Sequence, residues 1–191
     1  MNLVVDDIGY VVSLMRPLNA LTYGADAASY ITTNHPNGTI AEMPYYMYGH
    51  RLEIANRLKE KDQDATNKYK KYPLIALRMD FPEAMGVKGS FEVTLNIAIL
   101  AYTDKKYNAE QRVANVVKPI LIPLYDRFIT CLRQSGIFTF TTSNMLYPQH
   151  TRIIRPFWGI DASERNEKYI FDDPLDAIEI VNLKLNKFID C

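Results

Sequence analysis

The sequence predicts an α+β fold in which a largely antiparallel sheet is packed by one long amphipathic helix, with an N-terminal helix and an extended arm. Three observations carry this. Phe91, Val93, Leu95, Ile97 and Ile99 alternate with Glu92, Thr94, Asn96 and Ala98, the period-two pattern of a strand with one apolar face. Between Asn108 and Gln134, Val113, Val116, Val117, Ile120, Leu121, Leu124, Tyr125, Phe128, Ile129 and Leu132 recur at helical spacing. Strand signals then follow one another without an intervening helix, which favours antiparallel pairing.

Taken in order, Asp6 to Arg16 is a short helix stopped by Pro17. Ala25 to Glu42 holds the turn signal His35-Pro36-Asn37-Gly38 and reads as an irregular arm or a loose hairpin. Residues 1–44 are therefore expected to form an arm with a short helix, and 45–191 the core of a single domain. Tyr45 to Asp62 reads as a helix, with Tyr48, Leu52, Ile54, Ala55 and Leu58 inward and Arg51, Glu53, Arg57 and Lys59 outward. Lys61 to Lys71 is a solvated connection. Tyr72 to Met79 is a short strand with Pro73 near its start, where a missing N–H matters least.

Asp80 to Ser90, with Pro82, Gly86 and Gly89, reads as a hairpin-type loop. The strand Phe91 to Tyr102 is expected to be covered on one side. Asn108 caps the long helix with Gln111 three residues on, and Gly136 stops it. Pro119 and Pro123 lie off its apolar stripe and should bend it or divide it in two. No other element offers enough apolar surface to bury that stripe, so the helix should lie across the sheet. Further strands are expected at Ile137 to Thr142 and within Thr151 to Ile160. A loop over 161–173 precedes the last strand, Asp176 to Phe188, with Ile178 and Ile180 on one face and Val181, Leu183 and Leu185 on the other.

Composition narrows the function classes. The 191 residues are 48% apolar and 23% charged, ordinary globular usage that argues against whole-chain disorder. The 22 basic and 22 acidic side chains cancel, whereas a dedicated nucleic-acid binder normally carries a basic excess. Cys131 and Cys191 offer no disulfide framework and are expected to be reduced. The N-terminus lacks the basic start of a signal peptide, and no run is long enough to span a bilayer. The expected setting is the cytoplasm, or a particle assembled there.

His35, His50 and His150 have no partner at ligand spacing, and Cys-x-x-Cys is absent. Asp172, Asp173 and Asp176, preceded by Asp161, Glu164 and Glu167, could hold a divalent cation for a small metal-dependent enzyme. The plainer reading is a solvated loop running into a strand, because no Lys or His completes a catalytic set. Gly-x-Ser-x-Gly and the glycine-rich phosphate loops are absent, and Cys131 sits one step from an apolar stripe. The expectation is no catalytic residue, no cofactor and no metal.

Two features point to contacts with macromolecules. Lys68, Lys70 and Lys71 interleave with Tyr69 and Tyr72, a pattern that suits single-stranded nucleic acid or, with neutral total charge, a protein interface. Residues 51–72 lean basic, while 161–176 hold six acids against Arg165 and Lys168. Such segregation suits head-to-tail contacts in a closed ring. The candidate interface residues are Tyr69, Lys70, Lys71, Tyr72, Asp80, Phe81, Met85, Trp158, Asp172 and Asp173.

The order of elements, through the Tyr45 segment, Tyr72-Pro73-Leu74-Ile75-Ala76-Leu77, Phe91–Tyr102, Asn108–Gln134 and Asp176–Phe188, resembles the tail-completion and tail-terminator proteins of tailed bacteriophages. Arg155-Pro156-Phe157-Trp158-Gly159-Ile160 and Asp176-Ala177-Ile178-Glu179-Ile180 are similar in texture to neck and ring proteins of the crAss-like phages. The resemblance implies a structural virion protein assembled in the host cytoplasm, forming a homo-oligomeric ring of about six or twelve copies. It implies the portal, adjacent rings and tail proteins as partners, and genomic DNA passing through without sequence-specific binding. The arm and the Asp80–Ser90 loop would then reach neighbouring subunits.

Overall fold

The computed structural model describes residues 3–15, 44–64, 71–85, 89–140, 148–161, 168–169 and 173–188. Helix α1 (Val4–Ser13) is followed by β1 (Tyr45–Gly49), α2 (Arg51–Gln63), β2 (Leu74–Arg78), β3 (Glu83–Met85) and β4 (Ser90–Tyr102). The long helix α3 then runs 26 residues, through Ala109–Arg112, a π-helical stretch Val113–Leu121, and Ile122–Gln134. Strands β5 (Phe138–Thr139), β6 (Thr151–Arg155), β7 (Ile160–Asp161), β8 (Lys168–Tyr169) and β9 (Leu175–Phe188) complete the order.

Seven strands form one sheet in the order β1-β2-β4-β9, with β5 and β6 both on the far side of β9 and β3 beside β4. Every pairing in it is antiparallel except β1 with β2, so the class is α+β with a mixed, mostly antiparallel sheet. Strands β7 and β8 pair separately.

The main core lies between one face of the sheet and helices α1 and α3. Phe91, Val93, Leu95, Ile97 and Ile99 of β4 meet Val116, Val117, Ile120, Leu121, Leu124 and Phe128 of α3 there. Helix α3 thus lies across the sheet, as its stripe requires; only Val113 of that stripe is exposed. The two prolines do not divide it. Pro119 and Pro123 cannot donate to the carbonyls four residues back, and the turn widens to π spacing over Val113–Leu121 instead.

The second face departs from the expectation of a sheet covered on one side. Ala98 and Leu100 of β4, Leu74 and Ala76 of β2, and Leu175 and Ala177 of β9 pack under Ile54, Ala55 and Leu58 of α2 and under Trp158. Only the first half of β4, with Glu92, Thr94 and Asn96 half-buried, lacks that cover.

Three further expectations are corrected. Tyr45–Gly49 is a strand, and the helix begins only at Arg51. Gly49 takes φ +142°, and a Cβ there would come within 2.5 Å of a Glu53 carboxylate oxygen, so strand and helix meet in a turn that glycine permits. His50 caps α2, its Nδ1 accepting from the Leu52 N–H at 3.3 Å, while Leu52 itself is exposed. The Asp80–Ser90 segment is not a bare loop, since β3 pairs with Val93, Glu92 and Phe91 of β4. Finally, Ile178, Ile180, Leu183 and Leu185 all face the main core. Strict alternation would split them. The register slips between Leu95 and Ile97, Asn182 takes φ +56°, and its N–H donates to Asn96 Oδ1 at 3.0 Å. This bulge returns the second half of β9 to the same face.

The bulge predicts that Asn182→Gly keeps stability, whereas Asn182→Val, forced into a left-handed conformation, loses about 1–2 kcal/mol in urea unfolding. Tyr46 links β1 to α1, its hydroxyl donating to the Val5 carbonyl at 2.8 Å. Burial first, then Tyr48 and Asp6, push its phenol above the usual tyrosine range. A raised folded pKa means stability intact below about pH 10 and lost above it. Thermal melts should fall on alkaline titration past that point, and Tyr46→Phe should flatten the fall.

Internal charge networks and candidate interaction surfaces

Where the sequence suggested a metal-binding loop, the structure builds ion pairs. Helix α3 opens with a capping box: the Asn108 side chain accepts from the Gln111 N–H at 2.8 Å, and Gln111 Oε1 accepts from the Asn108 N–H at 3.0 Å. That fixes the first turn and aims Arg112 back at the sheet. Its Nη1 donates to Asp176 Oδ1 at 2.8 Å and Thr103 Oγ1 at 3.1 Å, its Nη2 to the Asp104 carbonyl at 3.0 Å, and its Nε to the Tyr107 carbonyl at 3.1 Å. The guanidinium lies 3.6 Å from the centre of the Phe157 ring, and the Phe157 N–H donates to the same Asp176 oxygen at 3.0 Å. Phe157 holds φ +51°, a conformation bulky residues keep only where surroundings impose it. Arg112, Asp176 and Thr103 are all buried.

On the opposite face, Glu179 projects from β9 beneath α2. Trp158 Nε1 donates to it at 2.8 Å, Arg51 Nη2 at 3.2 Å, and Arg155 through Nε. The Arg51 guanidinium sits 5.2 Å from the Trp158 ring centre. Arg51, Arg155 and Trp158 border an open cleft of about 340 Å³. A third pairing joins Lys71 to Asp62 at 2.7 Å and to Asp173, with Tyr72 donating to Asp173 at 3.0 Å. Burial raises the nearby Tyr102 phenol, with Asp173 and Asp104 adding to the shift. Asp7 of α1 pairs with Lys187 of β9.

These networks change the standing of several candidate interface residues. Lys71 is 7% exposed, Tyr72 4% and Trp158 4%, so all three are internal, and the reading of Lys71 and Tyr72 as a surface feature is corrected. Each is amphipathic, and its polar end meets a carboxylate inside the subunit. Asp173 and Asp176 belong to different networks, the first with Lys71 and the second with Arg112. Among the described residues no three His, Cys, Asp or Glu side chains are grouped to hold a metal ion. Asp80 is exposed and pairs with Arg78 at 2.5 Å; Phe81 packs half-buried against the main core; Met85 is 78% exposed. Tyr69, Lys70 and Asp172 lie outside the described residues. Burial raises the Cys131 thiol above its usual range, which keeps it a thiol and a poor nucleophile. No described helix is long and apolar enough to cross a membrane.

Arg112, Arg51, Arg155 and Glu179 were not among the candidates. The signal was present: in Leu175-Asp176-Ala177-Ile178-Glu179-Ile180 two acids stand inside an apolar strand, and buried acids require partners. Exposed large apolar residues include Leu52 on α2 and Val113 on α3 as well as residues on the edge strands of the sheet. Strand β3 is exposed throughout, and β6 is exposed except at Ile153. Breaking the Arg112–Asp176 pair strands a buried charge, so Asp176→Asn should cost about 3–5 kcal/mol in denaturant unfolding. Arg112→Met with Asp176→Leu should recover more than half of that loss.

In comparisons with protein-family models and with curated proteins, nothing matches this chain.

Proposed function

We propose that this chain is a structural subunit that assembles with copies of itself into a ring in the neck of a tailed phage, between portal and tail. The observation that carries the reading is the contrast between interior and margins. The buried acids Asp7, Asp176 and Glu179 and the buried bases Lys71 and Arg112 are engaged within the subunit. Two edge strands on opposite sides of the β4–β9 pair, by contrast, are exposed and carry large apolar side chains, Met85 on β3 and Ile154 on β6. A protein whose work is joining needs a rigid body with adhesive edges. Helix α3 across a central β4–β9 pair supplies the rigidity, in the element order that resembles tail-completion and tail-terminator proteins. The opposite margins supply surfaces that differ from each other, as a head-to-tail ring requires.

Neither alternative gains an observation in its favour. Asp176 is neutralised by Arg112, and Lys71 and Tyr72 are folded inward. Light scattering on the purified protein, alone and mixed with the portal protein from the same source, should show a discrete multimer in at least one condition. A monomer in both would sink the neck assignment.

A further inference from the structure

Among the described residues, β3 pairs with β4 alone and β6 with β9 alone, so each has an outer edge without a strand beside it. They lie on opposite sides of the central pair. Glu83 and Met85 stand opposite Val93 and Phe91 of β4, which face the main core. Arg152 and Ile154 stand opposite Ile180 and Ile178 of β9, which face the same core. All four side chains therefore project on the α3 face of the sheet, at its two margins.

Their chemistry is complementary. One margin offers Glu-x-Met and the other Arg-x-Ile, an acid and a flexible apolar chain against a base and a branched apolar chain. Glu83 has no ion pair among the described residues, and Arg152 lies over the Tyr125 ring at 5.0 Å with no carboxylate partner there. Met85 is 78% and Ile154 47% exposed, large apolar side chains left in water on strand edges, which proteins ordinarily blunt with charge, proline, bulges or a covering element.

Resting on the ring reading above, we propose that β3 of one copy docks along β6 of the next, extending the sheet across the subunit boundary. With the two strands centred on each other, Glu83 then stands opposite Ile154 and Met85 opposite Arg152, so that Glu83 with Arg152 and Met85 with Ile154 are diagonal neighbours. Strand directions permit it: β3 runs against β4, and β6, reached through β9, runs with β4, so the new pair is antiparallel within a closed sheet. Cross-strand neighbours, direct or diagonal, sit within reach of these side chains in that arrangement. The margins are staggered, since β3 centres opposite Glu92 while β6 centres, through Glu179, opposite Ala98. At about 3.3 Å per residue this is a rise of about 20 Å, across four strands spaced about 4.8 Å apart. Successive copies can return to one level only if the strands tilt about 45° from the ring axis, a tilt found in closed sheets.

The test uses the full chain with Cys191→Ser. Met85→Cys combined with Arg152→Cys, directly opposite in that register, should give a covalent ladder of oligomers on mild oxidation, and each single substitution should not. Separately, Glu83→Arg or Arg152→Glu should weaken assembly at least tenfold by light scattering, and the two together should restore it, with unfolding midpoints unchanged. If wild-type protein assembles but no ladder forms and the charge reversals have no effect, this contact is overturned while the ring reading stands. If the wild type stays monomeric even with the portal protein, both are overturned.

Discussion

Strands β4 and β9 pair from Ser90 opposite Phe188 to Tyr102 opposite Leu175, and the position of every other strand in the main sheet follows from that pair. Strands β2 and β3 occupy successive stretches of one side of β4, and β6 and β5 occupy successive stretches of the far side of β9. The pairing must satisfy two demands at once. Its whole length has to present apolar side chains to α3 on one face, yet only part of it can be covered on the other. The bulge at Asn182 reconciles them. Without it, one half of β9 would turn Leu183 and Leu185 away from the core, because a one-residue slip inverts every side chain.

The second demand explains where the charges are. Above Ala98 and Leu100 the sheet is covered on both sides, so an acid placed there loses water and has to be met from within the chain. Glu179 stands opposite Ala98 and Asp176 opposite Ala101. Each is met by side chains from separate parts of the chain, Arg51, Arg155 and Trp158 for the first and Arg112 for the second. Such pairs add little net stability over apolar packing of the same shape. Their geometric demand is larger: Arg112 spends its donors on four acceptors and its flat face on Phe157. The α3 N-terminus, β9 and the turn after β6 are thereby held in one mutual arrangement.

Much of this was legible in the sequence where a residue's environment is local. The alternation in Phe91–Ile99, the stripe in Val113–Leu132 except at exposed Val113, and the Asn108–Gln111 box appear as read. What was not legible depends on distant partners. Tyr45–Gly49 carries apolar residues at spacings that suit a helix running on into Ile54 and Leu58, and only pairing with Leu74–Arg78 makes it a strand. The two faces of β9 were misassigned because a bulge leaves no mark but an asparagine. Lys71, Tyr72 and Trp158 look like surface residues by type, but each buries its apolar body and turns its polar end to a carboxylate far along the chain. Asp173 and Asp176, neighbours in sequence, are separated by the partners they choose.

The margins of the sheet follow a different logic from its interior. An exposed edge strand invites any other strand, and proteins usually guard it by shortness and charge. Strand β3 is short and begins with Glu83; β6 carries Arg152 and Arg155. Those devices would suffice for a solitary protein, and they do not call for Met85 or Ile154 to be left in water beside the charges. The combination makes sense if each edge must refuse its own kind and accept the other. Like charges keep β3 from β3 and β6 from β6, while opposite charges and an apolar pair favour β3 with β6. A contact of so few residues is weak between two copies. In a closed ring every copy is held from both sides, and the last contact forms within an assembly already brought together, so closure strengthens the whole beyond any single edge.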